Sequence, residues 1–217
     1  MVRKTPVKDK KCRKRGYMAR TNAKEPLIEA ARNLFSIKGY DGTSVDEIAE
    51  SIGIKGPTIY KYFKNKEELL KAVIESSEAE YVKGMISGAP DELPDLINSK
   101  EELKEYVLKS LDFTLKNDTA KKMRRLVTME QYRNATFAKL ATWHQLTYLQ
   151  NLYASIFQKM MDNGQMIEGD AKIIALEFLS PITIMIQLID REPRKKKEAL
   201  QTIEKHIDTF LIRYGFK

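Results

Sequence analysis

The sequence predicts an all-α protein, in which a small N-terminal three-helix domain of helix-turn-helix type precedes a larger helical domain. Apolar residues recur at helical spacing along almost the whole chain, and this periodicity is the main signal for amphipathic helices. Capping residues and glycines punctuate the periodic segments where helices should begin and end. No segment alternates polar and apolar residues as a half-buried strand would. We expect the chain to divide into an N-terminal tail (residues 1–21), the three-helix domain (residues 22–66) and the larger helical domain (residues 67–217).

The charge of the chain is concentrated at its N-terminal end. The 217 residues are 42% hydrophobic and 31% charged, with a formal net charge of +8. Residues 1–68 carry 16 Lys and Arg against 9 Asp and Glu, whereas residues 69–217 carry 22 against 21. A basic third on a near-neutral body is typical of nucleic-acid-binding modules. An anionic membrane surface would also attract it, so charge alone does not decide between these partners.

Cysteine usage and hydropathy indicate a cytoplasmic protein without metal or cofactor. Cys12 is the single cysteine, so no internal disulfide can form, and His144 and His206 are not spaced as zinc ligands. The basic N-terminus lacks the apolar segment of a signal peptide. The most apolar stretch, Ile173–Ile189, falls about three residues short of a typical membrane span. We expect a buried helix there and no membrane partner.

Residues 1–21 form a basic tail with almost nothing to bury, which favours disorder. The tail could add phosphate contacts as a floating arm. It could also be foreign to the natural protein or lie upstream of the real start, since Met18 would open a shorter chain.

The N-terminal domain should contain three helices and lead into a fourth. We predict helices over about 23–38, from Ser44 to Gly53, over Gly56–Tyr62, and from Asn65 to about 83. Ser44 with Glu47, and Asn65 with Glu68, have the spacing of a capping box. Farther along, we predict helices over about 99–116, 118–133, 135–141, 143–163, 170–189 and 195–213.

Two short helices joined by a tight turn match the helix-turn-helix arrangement, whose second helix enters the major groove of DNA. Its inward apolar positions leave small, polar and basic residues outside. Lysines supply four positive charges within twelve residues, and the start of the second helix offers free N–H groups to a phosphate. The predicted DNA-binding residues are Thr43, Ser44, Lys55, Gly56, Pro57, Thr58, Tyr60, Lys61, Tyr62, Lys64 and Lys66. The alternative is a helical adaptor that binds a protein or anionic surface through its basic end.

The run Gly39–Leu70 resembles the DNA-binding segment of the TetR/AcrR family of bacterial transcriptional regulators. It contains T-S-V-x-x-I-A, a G-I turn, T-I-Y-x-Y-F and K-x-K-E-x-L in the family's order. The resemblance implies that Thr43 and Ser44 bind phosphate, that residues 55–58 and Lys61 approach bases, and that Tyr60, Tyr62 and Lys66 hold phosphates. Lys55 and Gly56 depart from the pattern, where Ser and a long polar residue are common, which puts the operator sequence in doubt.

The larger domain is expected to form a homodimer and to bind a small-molecule effector, although plain core packing is an alternative for each residue named. The predicted dimer interface is made by two very apolar helices and comprises Leu149, Tyr153, Ile156, Leu179, Ile182 and Ile186. The predicted apolar pocket comprises Phe113, Met123, Met129, Tyr132, Phe137, Trp143 and Met160. Four further side chains could hold a polar ligand group: Glu130, Gln131, His144 and Glu177.

No enzymatic activity is predicted. The sequence has no Gly-rich phosphate loop, no nucleophile elbow and no histidine close in sequence to a Ser or Cys nucleophile. The resemblance instead implies a transcriptional regulator, most commonly a repressor, that binds a pseudo-palindromic operator as a dimer and leaves it when a small molecule binds. The helix from Asn65 to Lys83 would transmit that signal.

Overall fold

A computed structural model describes residues 23–85 and 93–215, and every described element is a helix or a turn. The predicted tail, residues 1–21 with Cys12, lies outside the described residues. The helices are α1 (Lys24–Lys38), α2 (Val45–Ser51), α3 (Lys66–Met85), α4 (Leu93–Leu96), α5 (Lys100–Lys116), α6 (Asp118–Glu130), α7 (Ala135–Thr142), α8 (Tyr148–Asp162), α9 (Ala171–Arg191) and α10 (Lys196–Arg213). The predicted all-α fold is confirmed.

Local side-chain caps fix where several of these helices begin. The Ser44 hydroxyl accepts the Glu47 N–H at 3.1 Å, and the Ser44 N–H donates to the Glu47 carboxylate at 2.9 Å, so the predicted capping box forms. Asn65 caps α3 by accepting the Glu68 N–H at 2.8 Å. Such caps satisfy N–H groups that have no partner inside the helix. Short-range sequence patterns were therefore sufficient to place these starts.

The helix after the turn differs from the prediction, because Gly56–Lys61 is a 3₁₀ helix. Its N–H groups donate three residues back, as from Thr58 to Lys55 at 2.8 Å and from Tyr62 to Ile59 at 2.8 Å. The segment is short and contains Gly, Pro and β-branched residues, which do not favour a longer α-helix. We call Gly56–Lys61 the recognition helix below.

A second difference concerns the predicted helix over residues 143–163. Residues Trp143–Thr147 form a π-helical turn that links α7 to α8. Single π turns widen a helix by one residue and occur frequently at functional sites. The helical periodicity of the sequence continues through this turn, which explains why it was not foreseen.

Two apolar cores hold the molecule together. The first, which we call the head core, joins α1, α2, the recognition helix and the start of α3 to Leu126, Val127, Phe137 and Ala141. The second is formed mainly by α5, α8, α9 and α10 around Phe157 and Phe178. Because α6 and α7 contribute to the head core, the boundary predicted between residues 66 and 67 does not coincide with a break in packing.

Helix α9 is less buried than the sequence predicted. By length and composition it alone among the described helices could cross a membrane, with a mean hydropathy of 1.7, although core helices of other proteins pass the same test. Only 33% of its most apolar window is buried. Ile173, Leu176 and Ile184 remain exposed on it. The expectation of a buried helix is therefore wrong for one side of α9 in the single chain.

Candidate nucleic-acid interface and effector cavity

The recognition helix presents a basic outer surface and one inward anchor. Ile59 is buried in the head core, while Tyr60 is 59% exposed. The other exposed members of the predicted surface are Ser44, Lys55, Pro57, Lys61 and Lys64. Gly56 and Thr58 are partly exposed, and Tyr62 packs against the head core. An exposed helix with cations at both ends has the shape and charge to enter a major groove.

Thr43 needs a correction. The structure buries it, with 1% of its surface exposed. Its hydroxyl donates to the Gly39 carbonyl at 2.8 Å, which leaves it facing the turn instead of a phosphate. Thr43 therefore shapes the turn before α2. Ser44 stays exposed, but its hydroxyl is already engaged with Glu47 at 3.0 Å.

Lys66 also lies elsewhere than expected. Its ammonium sits 4.2 Å from the centre of the Tyr40 ring and 5.9 Å from that of Phe35. These distances are those of cation–π contacts. Lys66 is only partly exposed, whereas Lys55, Lys61 and Lys64 are exposed, so these three are the better candidates for the phosphate contact.

Gly56 has a structural reason for lacking a side chain. A Cβ built on Gly56 would lie 1.6 Å from Oδ1 of Asp46 on α2, far inside contact distance. A long polar residue, as expected in the family, would require the Asp46 side chain to move. The departure noted in the sequence thus matches a close approach between α2 and the recognition helix.

Glu47 ties the start of α2 to the end of α1. It accepts hydrogen bonds from Lys38 Nζ at 2.6 Å and from Ser44. The bond from Lys38, with those from the Ser44 backbone and hydroxyl, lowers the pKa of Glu47 from 4.5 to about 2. A carboxyl whose pKa is depressed in the folded state stabilises that state above its unfolded pKa.

We therefore expect the head to lose stability as the pH falls from 4.5 towards 2, because protonation removes these bonds. The Glu47→Gln variant should lack this part of the acid dependence. Thermal melts between pH 5 and 2, followed by circular dichroism, measure it. A variant whose melting temperature falls with pH as steeply as that of the unaltered chain would contradict the expectation.

A cavity of about 170 Å³ lies in the larger domain, between α3, α6, α8, α9 and the π turn. An apolar cavity of about 150 Å³ can hold benzene, so this one has room for a ligand about one ring in size. Its wall includes apolar side chains and several hydroxyl, amide and charged groups: Ile74, Ser77, Glu78, Tyr81, Thr119, Met123, Arg124, Val127, Leu140, His144, Gln145, Tyr148, Leu149, Thr183, Ile186, Gln187 and Asp190.

Most of the predicted pocket residues lie outside this cavity. Of the seven, Met123 alone lines it. Phe137 belongs to the head core and Met160 to the second core, with 0% and 1% of their surfaces exposed. Tyr132 and Trp143 point to solvent, Met129 is half-buried away from the cavity, and Phe113 packs against Gly84 and Tyr81. The presence of an aromatic or Met residue in the sequence does not show whether that residue lines the cavity or packs in a core.

Of the four predicted polar ligand groups, only His144 lines the cavity. Its Nε2 atom lies 3.4 Å from Oε1 of Glu78. Glu177 accepts a hydrogen bond from Tyr214, and Gln131 is at the end of α6. Glu130 is buried on another side of α6 and accepts the backbone N–H of Tyr40 at 2.9 Å.

The predicted dimer-interface residues are not on the free surface. Tyr153, Ile156, Leu179 and Ile182 are buried in the second core. Leu149 and Ile186 are half-buried and line the cavity. The exposed apolar side of α9 is instead the one that carries Ile173, Leu176 and Ile184. The predicted residues and the exposed residues therefore share helix α9 but lie on different sides of it, and the interface itself stays a prediction.

One polar cluster that was not predicted from the sequence connects the head to the cavity. Arg32 on α1 is 5% exposed. Its guanidinium donates to Ser76 Oγ and Ser77 Oγ at 3.1 Å each, and to Thr119 Oγ1 at 3.2 Å. Ser77 and Thr119 also line the cavity. The sequence did contain a signal for this cluster, since Arg32 is a charged residue on the apolar side of α1, beside Ile28, Ala31 and Phe35.

Glu130 makes a second connection between α6 and the head. A Cβ on Gly39 would lie 2.5 Å from its Oε1 atom, so Gly39, whose φ is +79°, permits this approach. The other carboxylate oxygen has no hydrogen-bond partner in the described part of the chain. The turn that contains Tyr40 continues to Thr43, whose N–H donates to the Tyr40 carbonyl, and then to the start of α2. Helix α6 therefore contacts α1 near its middle and beyond its end.

Within residues 23–85 and 93–215, no group of three His, Cys, Asp or Glu side chains is placed to hold a metal ion. The site consists of a basic helix-turn-helix surface, a partly open cavity and polar links between them. This combination places the chain in the class of helix-turn-helix proteins that carry a separate helical domain.

Comparison with known proteins agrees with that class. The family model described as bacterial regulatory proteins, tetR family, matches residues 27–73. IcaR from Staphylococcus epidermidis, a negative transcriptional regulator of the biofilm operon icaADBC, is 43% identical over 53 residues. That match covers 24% of this chain and 29% of IcaR.

Solved structures extend the similarity to both domains. A structure assigned to the TetR family, from Mesorhizobium loti, is 26% identical, with a TM-score of 0.67 over 88% of this chain and 96% of that one. SmeT, the repressor of a Stenotrophomonas maltophilia multidrug efflux pump, is 20% identical, with a TM-score of 0.65 over 89% and 91% of the two chains. Residues 27–73 therefore match the tetR family model, and the chain shares the fold of the solved TetR-family structure over 88% of its length.

Proposed function

We propose that this chain is a DNA-binding transcriptional regulator that acts as a homodimer and is released from a pseudo-palindromic operator by a small molecule. The observation that carries the proposal is the exposed recognition helix, with Lys55, Lys61 and Lys64 around Tyr60. Repression is supported by the roles of IcaR, a negative transcriptional regulator, and of SmeT, a repressor. A cytoplasmic location follows from this function.

Dimerisation is supported by the exposed apolar side of α9. Ile173, Leu176 and Ile184 are 53%, 36% and 58% exposed, and they recur at helical spacing. Covering such side chains stabilises a complex by about 1.5–3 kcal/mol for each one fully buried. In a symmetric dimer the same side would pair with its copy, and two recognition helices about 34–36 Å apart could read successive turns of DNA.

Effector control is supported by the cavity and the Arg32 cluster. A ligand that moves Ser77 or Thr119 changes the hydrogen bonds of Arg32, and therefore the position of α1 against α3 and α6. We propose that α6 transmits the signal together with α3, the helix that the sequence suggested. A coupling of about 1–3 kcal/mol would lower operator affinity about 5- to 150-fold. SmeT has itself been solved in complex with triclosan.

The experiment that tests DNA binding uses the segment upstream of the chain's own gene. Fluorescence anisotropy across a salt series should show specific binding whose logarithm falls steeply and linearly with the logarithm of salt concentration. Footprinting should reveal a pseudo-palindrome. Binding that does not depend on salt, or that does not distinguish this segment from unrelated DNA, would favour the adaptor alternative.

The Arg32→Met variant tests the proposed coupling. Methionine keeps part of the aliphatic stem and removes the guanidinium, so the Ser77 and Thr119 hydroxyls lose a donor and Glu29 loses an ion-pair partner. We expect the folded state to lose about 1–3 kcal/mol, the cost of leaving buried polar groups without a partner. Denaturant unfolding measures this, and Arg125→Met, at an exposed position on α6, is the control. A loss below about 1 kcal/mol would show that the cluster is not structurally important.

A further inference from the structure

The charges around the cavity are unequal. Among the lining residues, Arg124 is the one Lys or Arg, whereas Glu78 and Asp190 are both carboxylates. Arg124 is already engaged, since Nε and Nη2 donate to the two oxygens of Asp190 at 2.7 and 2.9 Å, and Nη1 donates to the Thr114 carbonyl at 2.8 Å. Two parallel bonds of this kind are strong. An anionic ligand therefore finds no unengaged cation in the cavity wall.

Glu78 is the carboxylate that remains for a ligand. It faces His144, whose Nε2 atom is 3.4 Å away, and no Lys or Arg of the wall pairs with it. The hydroxyls of Ser77 and Thr119 are occupied by Arg32, Val73 and Glu80. Tyr81 stands one turn along α3, and burial raises the pKa of its phenol. This phenol stays protonated, so it adds no negative charge but offers an aromatic ring.

The π turn lies at the same place. His144 and Gln145, both in this turn, line the cavity, and the Tyr81 and His144 rings are 6.5 Å apart in an edge-on arrangement. A cation beside Glu78 would have a carboxylate on one side and aromatic rings nearby, which together stabilise an ammonium group. The rest of the wall offers apolar side chains such as Ile74, Met123 and Val127.

Resting on the effector role above, we propose that the cavity binds a small apolar amine, about one ring in size, whose ammonium group pairs with Glu78. Its ring lies among the apolar side chains of α3 and α6. The cavity volume of about 170 Å³ sets the size limit. The paired state of Arg124 and the presence of Asp190 disfavour carboxylic acids of the same shape.

The test compares three probes on one framework: 2-phenylethylamine, 2-phenylethanol and phenylacetate. Isothermal titration calorimetry on the DNA-free protein should give the amine about tenfold higher affinity than phenylacetate, with the alcohol between them. In the Glu78→Gln variant the amine should lose about fivefold, the upper end for a partly exposed ion pair, while the alcohol changes by less than about twofold. Glu75→Gln is the control, since Glu75 is an exposed residue of α3 that pairs with Lys71 and does not line the cavity.

Tightest binding of phenylacetate, an amine affinity unaffected by Glu78→Gln, or no binding by any probe would overturn the proposal. Binding of the alcohol to the unaltered protein shows whether the cavity is accessible. This result does not depend on whether a variant folds. Since these measurements contain no DNA, their failure would leave the DNA-binding role untouched. Failure of the DNA experiment would in turn leave the cavity's preference for amines standing.

Discussion

Replacing Lys55, Lys61 and Lys64 together by glutamine should reduce affinity for operator DNA by at least about 10³-fold near 100 mM salt, if each lysine contacts a phosphate in both subunits. Six contacts would be lost from a dimer, and each contributes about 0.9 to the slope of the logarithm of affinity against the logarithm of salt concentration. The slope should therefore fall by about five. All three side chains are exposed, so the fold should not change.

The matched control removes equal charge from the far end of the molecule. Lys196, Lys197 and Lys205 are exposed on α10 and outside the head. Their replacement by glutamine should alter the slope by less than about one, the change expected for a single phosphate contact. Equal losses in the two triple variants would mean that net charge, and not the recognition helix, determines binding. No loss in either would end the DNA-binding interpretation of this surface.

The second large effect concerns α9. The double variant Leu176→Glu with Ile184→Glu should convert a dimer into a monomer near the chain mass of 25.1 kDa. Two carboxylates on each subunit would face their copies across a desolvated surface, where like charges repel. Loss of one half-site from each binding event should lower operator affinity by about 10²–10⁴-fold, the usual gain from joining two binding modules. Light scattering after gel filtration and anisotropy measure the two effects.

Two further substitutions serve as controls for the α9 double variant. Ile212→Glu changes an apolar residue that is 81% exposed on α10, so it should leave both mass and affinity unchanged. Ile156→Glu, at a position the sequence had suggested for the interface, buries a charge in the second core and should unfold the chain instead of dissociating it. A folded dimer with Leu176→Glu and Ile184→Glu would refute the proposed interface.

Comparison with the Glu47 and Arg32 variants distinguishes a loss of DNA binding or dimerisation from a general loss of stability. The Glu47 cap acts on the head, and the Arg32 cluster acts where the head meets the cavity. Neither touches the exposed side of α9. A variant that weakens DNA binding through instability should therefore show a lowered melting temperature, whereas the lysine variant should not. The α9 variant should lose only the stability that dimerisation supplies, so its melting temperature should no longer depend on protein concentration.

The sequence by itself determined the head. Ser44 with Glu47, Asn65 with Glu68, Gly39 and Gly53 act within a few residues of their own positions, so their patterns fix the helix ends wherever the rest of the chain lies. The spacing of Val45, Ile48, Ala49 and Ile52 shows one apolar side, and exposure of the recognition helix followed from it. The recognition helix is a 3₁₀ helix instead of an α-helix, but this difference did not bury its outer residues.

Only the tertiary structure decided which sides of α8 and α9 form the core. Where apolar residues surround most of a helix, periodicity does not indicate the inward side, and Tyr153, Ile156, Leu179 and Ile182 were assigned to the wrong surface. The cavity depends on how α3, α6, α8 and α9, which come from separate parts of the sequence, pack together. The Ser and Thr partners of Arg32 and the Tyr40 partner of Glu130 lie 44 to 90 residues away, and a contact over such a separation is fixed by packing, which local patterns do not encode.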